Sequence, residues 1–400
     1  MDICKYESCT GCASCFNSCY HGAITMEPDT LGYLRPLINE TKCVDCGLCQ
    51  TVCPVNHEVS SHYPLSSYVA TAKDKSEMFS STSGGLASVI ARVIIKSGGL
   101  VYGCEEKNCE EICHSRIEKE VDIDKLKGSK YVQSTIGDSF LKIKNDLKNK
   151  RKVLFIGTPC QVAGLRNYLR KKHDELYTID LICHGVPSQK ILRDAVKAYV
   201  PRESTNMCKV SFRQRDVKGK SHYGLFIDNQ EGGRIFEEEF PKNTYIVGFL
   251  DALFYRESCY HCLYAKRERV SDITLGDYWD KEKKISIGLQ GHGLSMLIVN
   301  TSKGMQILKA VKENVKLETS DYETFVSRNT SLKTPMPMHP LHHEFTRIYE
   351  EKGFLASAQK CLKDDIKRIK KEMFINNLSV IIYKIPGTKK LYKAIRGFVL

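Results

Sequence analysis

Apolar positions in this chain fall into runs of distinct length and period. Four short, mainly apolar runs, Leu100–Cys104, Val153–Ile156, Leu176–Ile182 and Met296–Val299, read as buried strands. Ser67–Ala72 alternates and reads as another strand. Val210–Arg213 and Tyr223–Glu239 also read as strands, the latter split by the hairpin turn Asn229-Gln230-Glu231-Gly232-Gly233. Longer apolar stretches behind small polar residues predict helices. These are Leu86–Ile95 after a Ser/Gly loop, Val162–Lys172 after Gly157-Thr158-Pro159-Cys160-Gln161, and a stretch to Tyr199 capped by Ser188. Pro159 falls where a first helical turn tolerates it. Strand, helix, strand, helix over 153–199 implies a parallel sheet covered by helices.

The amino end lacks this patterning. Residues 9–53 are cysteine-rich, and residues 54–66, bounded by Pro54 and Pro64, read as a polar linker. The carboxyl end is helical in pattern and basic: Lys360–Lys371, then the mostly apolar Met373–Tyr383, a break at Pro386-Gly387, and Lys389–Leu400. The expected fold class is α/β, α+β overall. A small cysteine module (1–60) precedes a body with a parallel or mixed sheet (65–175 and 176–345) and a helical basic tail (346–400).

An apolar content of 42% and a charged content of 27% suit a globular chain with a core and exclude bulk disorder. The net charge of +13 is unevenly spread. Residues 1–60 hold Lys5, Arg35 and Lys42 against seven acids, whereas residues 361–400 hold ten Lys/Arg against three acids. The basic excess fits a solvated surface, an anionic membrane face under the tail, or an acidic partner; nucleic acid is not expected. The start, Met1-Asp2-Ile3-Cys4-Lys5, has no apolar core of a signal peptide, and no apolar run is long enough to span a bilayer. A cytoplasmic, reducing location is expected, peripheral to the membrane at most. There, 18 cysteines point to metal rather than disulfides.

Cys9-x2-Cys12-x2-Cys15-x3-Cys19 and Cys43-x2-Cys46-x2-Cys49-x3-Cys53-Pro54 are two iron–sulfur runs in tandem. In such pairs three cysteines of one run hold a 4Fe–4S cluster, and the fourth comes from the other run. Cys9, Cys12, Cys15 and Cys53 are therefore assigned to one cluster, and Cys43, Cys46, Cys49 and Cys19 to a second. Zinc prefers separate four-cysteine sites and fits the interleaving less well. Gly11 and Gly47 allow the backbone to turn close to each cluster. Tyr20 stands where proline often follows the first run, and Cys4 reads as a plain thiol.

Other chemistry is more dispersed. Ser81-Thr82-Ser83-Gly84-Gly85 opens a helix and could receive a phosphate, although a simple cap has the same pattern. Lys125–Ser134 (KLKGSKYVQS) joins cations, an aromatic ring and an amide. Gly291-His292-Gly293-Leu294-Ser295 either lines a pocket or forms a hairpin. Cys104, Cys109 and Cys113 read as free thiols. Cys160 and Cys183 lie just beyond strand ends, where parallel sheets bind ligands, and Cys259-x2-Cys262 could complete a four-thiol site. An iron–sulfur cluster, zinc and a redox dithiol all remain open for that set.

Jointly, KGSKYVQS (127–134), GTPCQVAGLR (157–166), DLICHGVPS (180–188), SCYHC (258–262) and SDITLGDYW (271–279) give the chain its resemblance to the coenzyme F420 (deazaflavin) hydrogenase/dehydrogenase beta-subunit family. The resemblance covers roughly 65–340 and implies an α/β body that binds FAD and iron–sulfur clusters. It implies FAD against Ser83, Gly84, Gly85, Gly128, Ser129, Lys130, Tyr131, Gln133 and Thr158, and a third cluster at Cys160, Cys183, Cys259 and Cys262. The expected function is an iron–sulfur, flavin-dependent oxidoreductase exchanging electrons with a ferredoxin-like or deazaflavin partner. His184, His261 and Asp277 are the candidate proton-handling groups, and the substrate stays open. Two other readings are an electron-transfer subunit of a larger complex and a redox-silent accessory protein of surface-polysaccharide synthesis.

Overall fold

The computed structural model describes residues 2–201, 207–216, 219–280, 285–288 and 293–383, with side chains in the last stretch to 376. Thirteen strands occur among them. β1 (Ile24–Pro28) and β2 (Leu34–Ile38) form a hairpin in the cysteine module. The body holds β3 (Ser66–Ala72), β4 (Leu100–Asn108), β5 (Glu111–Ile117), β6 (Val153–Gly157) and β7 (Leu176–Leu181). It continues with β8 (Cys208–Arg215), β9 (Ser221–Asn229), β10 (Arg234–Glu239), β11 (Ile273–Asp277), β12 (Ser295–Val299) and β13 (Val315–Thr319).

Eight strands make one sheet in the order β13-β3-β12-β11-β7-β6-β4-β5. Its centre is parallel (β4 with β6, β6 with β7, β7 with β11), and both flanks are antiparallel. The sheet is therefore mixed, because the flanking strands arrive by hairpins or returns that need no helical crossover. It draws strands from both sides of residue 175. β8, β9 and β10 form a separate antiparallel sheet.

The parallel strands are Val/Ile/Leu-rich because both their faces are covered. Val153, Leu154 and Phe155 are fully buried. The helix after β6, Pro159–Leu169, starts at the proline and ends at Arg170, which takes a left-handed conformation at φ 58°. It lies about one turn nearer the amino end than the expected Val162–Lys172. Ser188 caps Gln189–Lys197 by accepting from the Ile191 amide at 3.1 Å. At the tail, Lys363–Tyr383 is one continuous helix, and the expected break and the Lys389–Leu400 segment lie outside the described residues.

Two expectations are corrected. Cys109, at the β4–β5 turn, is disulfide-bonded to Cys208 at the start of β8, so it is not a free thiol. Residues 54–66 do not hang free: Arg166 donates to the Ser60 carbonyl and hydroxyl, Asn167 donates to the His57 carbonyl, and His62 bridges Arg269. The chain needs these bonds because the segment runs across the body, where its backbone would otherwise lose water without replacement.

Candidate functional site

Each cysteine run turns through a left-handed residue into a short helix. Ala13 (φ 60°) precedes Ser14–Ser18 and Gly47 (φ 67°) precedes Leu48–Thr51. The turns fold the thiols inward around two cavities. One is lined by Cys9, Cys12, Cys15 and Cys53, with Cys4 on the same wall. The other is lined by Cys19, Cys43, Cys46 and Cys49. The first cavity is the inner one, with its four thiols buried, whereas Cys46 in the outer cavity is exposed. Among the described residues, no three Cys, His or acidic side chains close on a point as they would round a single ion. The cysteines of each set line one cavity, and a 4Fe–4S cluster takes four such thiolates.

The inner cavity abuts the body. Ser14 donates to the Gly164 carbonyl at 2.7 Å, and a Cβ on Gly164 would meet the Cys12 sulfur at 3.0 Å. Cys160 lies one turn earlier on that helix. It faces Cys183, beyond β7, and Cys259 and Cys262, around the short helix Glu257–Tyr260. Burial pushes the Cys183 thiol up to about 12 and raises the other three, reinforced by neighbouring thiols at Cys160, Cys183 and Cys259. Four such thiols cannot ionise together unless a cationic centre offsets their repulsion. Buried Tyr264, whose hydroxyl has no partner among the described residues, lies near both Cys160 and Cys12. The buried Arg269 pairs with Asp180 at 3.3 Å beside this group.

From Cys183 an aromatic ladder leads toward the Ser/Gly loop. His184 bonds the Tyr255 hydroxyl at 2.5 Å and packs on Phe249, and Phe249 stacks on Tyr131 at 4.4 Å. Tyr131 adjoins Ser129, and the Ser129 hydroxyl meets that of Thr82 at 3.0 Å. The Ser81–Gly85 loop and the Gly128–Tyr131 stretch therefore do come together. Gly84 must be glycine because a Cβ would lie 2.6 Å from the Ala70 carbonyl. Arg215 donates to the Ser83 carbonyl at 2.7 Å, but among the described residues its Nε and Nη1, and the Nε of Arg213, are buried without partners. Unspent buried donors beside the amino end of Leu86–Lys96 suit an anionic group.

Several expected residues point elsewhere. The Gln133 amide donates to the Thr10 carbonyl and accepts from Arg256, so it joins the cysteine module to the body. The Thr158 hydroxyl sits 3.2 Å from the Cys160 sulfur, beside the four thiols rather than the loops. Lys130 turns inward onto the Leu126 and Lys127 carbonyls. Asp277 is paired with Arg213, and His261 is exposed. Gly291 and His292 lie outside the described residues. Sequence reading missed Arg213, Arg215, Arg256 and Arg269, because a buried arginine has the same letter as a solvated one. The only hint was that Arg213 and Arg215 share one phase of the alternation along β8.

The fold and the paired cysteine runs define an iron–sulfur electron-transfer protein of the oxidoreductase class. Residues 8–57 match a 4Fe-4S dicluster domain, and residues 150–324 match the family described as the C terminus of the coenzyme F420 hydrogenase/dehydrogenase beta subunit. The resemblance read from the motifs is thus confirmed over 150–324. The chain is 26% identical over 341 residues to the coenzyme F420-dependent sulfite reductase of Methanocaldococcus jannaschii, covering 78% of this chain and 47% of that protein. It therefore spans about half the length of this curated relative. A chain of the F420-reducing NiFe hydrogenase complex from Methanosarcina barkeri is similar at 17% identity and a TM-score of 0.42, over 76% of this chain and 93% of that chain. The matched family and the curated relative carry coenzyme F420 in their names, and FAD has no support from them. No described helix is long and apolar enough to cross a membrane.

Proposed function

We propose that the chain moves electrons inward from the outer cysteine cavity, through the inner cavity and the four-thiol site, to a flavin-type coenzyme at the Ser81–Gly85 and Gly128–Tyr131 loops. The observation that carries this reading is the contact of Cys12 with Gly164, one helical turn from Cys160. Cys9, Cys12, Cys15 and Cys53 would hold the inner 4Fe–4S cluster. Cys19, Cys43, Cys46 and Cys49 would hold the outer one, and Cys160, Cys183, Cys259 and Cys262 a third.

Clusters supply one-electron transfer, and a flavin supplies the pairing of two electrons with a proton. The F420-named relatives favour the deazaflavin as the coenzyme exchanged. FAD stays in the proposal because single electrons from clusters must be paired before a hydride-level product can form. This chain's own residues do the rest. Arg213 and Arg215 hold the anionic part of the coenzyme, Gly84 lets the loop approach it, and buried aromatic rings keep water out between Cys183 and Tyr131. His184, fixed by Tyr255, is the group best placed to hold a proton. The relative's sulfite reductase name belongs to a protein of which this chain covers only 47%, so the proposal stops at electron delivery.

Anaerobic purification with iron and flavin counts, followed by a deazaflavin-reduction assay, tests this reading. About twelve irons per chain, four for each cluster, and deazaflavin turnover are expected. About eight irons would remove the third cluster. Absence of flavin together with absence of deazaflavin turnover would leave only a relay.

A further inference from the structure

Among the described residues two arginines are almost completely buried, Arg256 and Arg269, each 1% exposed. A buried guanidinium needs a counter-charge, because neutral hydrogen bonds do not replace what bulk water gave it. Arg269 has one in Asp180. Arg256 does not: among the described residues no carboxylate pairs with it. Its three bonds go to neutral acceptors: Nε donates to Gln133 Oε1 at 2.9 Å, Nη1 to the Cys9 carbonyl at 3.0 Å, and Nη2 to the Leu34 carbonyl at 2.9 Å. The Tyr33 ring lies beneath it at 5.0 Å.

The guanidinium therefore lies against the loop of the inner cysteine cavity. Gly11 permits this approach, since a Cβ there would come within 2.6 Å of Arg256 Nη2. The backbone of Arg256 is held as well. Its amide donates to the Val186 carbonyl and its carbonyl accepts from Cys259. The charge is thus fixed between the inner cavity and the four-thiol site.

The geometry points to Arg256 as the counter-ion of the cluster proposed at Cys9, Cys12, Cys15 and Cys53. This inference rests on that cluster assignment. A four-thiolate cluster is anionic and gains one further negative charge on reduction. A buried cation beside it favours the reduced form and raises its potential. The outer cavity, more open to water, has no such arginine among the described residues. Arg256 is a positioning and tuning residue; it does not itself take part in bond making.

The test is an EPR-monitored redox titration of the full chain with its clusters, comparing the parent with Arg256→Gln and Arg256→Lys. Cys43→Ser marks the signal of the outer cluster. In Arg256→Gln the reduction equilibrium of the inner cluster is expected to fall at least tenfold, about 59 mV for one electron, with the outer signal unmoved. In Arg256→Lys, which keeps the charge, most of the shift is expected to be absent. Loss of the inner cluster in Arg256→Gln but not in Arg256→Lys would also support the inference. Equal shifts in both variants, no shift in either, or loss of the cluster in both would overturn it, since packing would then be the cause. A parent protein without an inner-cluster signal would instead sink the cluster assignment.

Discussion

Gly164 carries no side chain because Cys12 stands where one would go. A Gly164→Val change overfills this contact and should cost about 1–3 kcal/mol, the usual range for overpacking. It should leave the iron count intact and slow electron arrival at the coenzyme, as followed by stopped-flow absorbance; an unchanged rate would remove this contact from the path. Cys4 presents a different question at the same scale. It shares the inner cavity wall with four motif cysteines, and Asn56 pins its neighbour by donating to the Ile3 carbonyl at 2.8 Å. The motif is complete without it, so Cys4→Ser should retain all the iron. A loss of about four atoms, one cluster's worth, would make Cys4 a ligand. The cysteine spacing was legible from residue letters because cluster geometry constrains it locally. The pairing of Cys109 with Cys208 was not, since it joins positions 99 apart through the tertiary fold.

Strands β6 and β7 were read almost to the residue, because burial on both faces writes itself as unbroken apolar runs, whereas the helix after β6 was placed about one turn too late. β1 and β2 were missed for the opposite reason: their side chains are mostly exposed or half-buried, so hydrophobicity carries little phase. β13 did carry a signal, the alternation Val315-Lys-Leu-Glu-Thr319, but its strand identity depends on pairing with β3 from 240 or so residues earlier. The helix Pro159–Leu169 shows how an element positions chemistry. Gln161 is buried; its oxygen accepts from the Thr158 amide at 3.0 Å and its nitrogen donates to the Ser134 hydroxyl at 3.1 Å. It therefore ties the turn that carries Cys160 to the end of the 127–134 loop. Gln161→Leu leaves these groups unpaired and should destabilise the fold by about 1–3 kcal/mol, measured by urea unfolding. Iron lost from the four-thiol site before any loss of global stability would show that the turn acts locally.

The charge map of the whole molecule bears on where electrons enter. The cysteine module is acidic by four charges over residues 1–60, while the chain as a whole is +13. The outer cavity, with Cys46 exposed, sits on the acidic part. A small acidic donor of ferredoxin type would be repelled at that entrance and drawn to the basic body, where no free cysteine among the described residues is exposed. A cationic donor would be steered to the entrance directly. Reduction of the outer cluster by reduced methyl viologen, a cation, should therefore slow as salt rises from about 10 mM to 0.3 M, over which screening shortens from roughly 30 Å to under 10 Å. Stopped-flow bleaching of the cluster absorbance gives the rate. The opposite slope would place the entrance on the basic body. The motifs indicated that electrons move through this chain, but only the assembled surface bears on the charge of whatever supplies them, because that charge is a sum over residues brought together by folding.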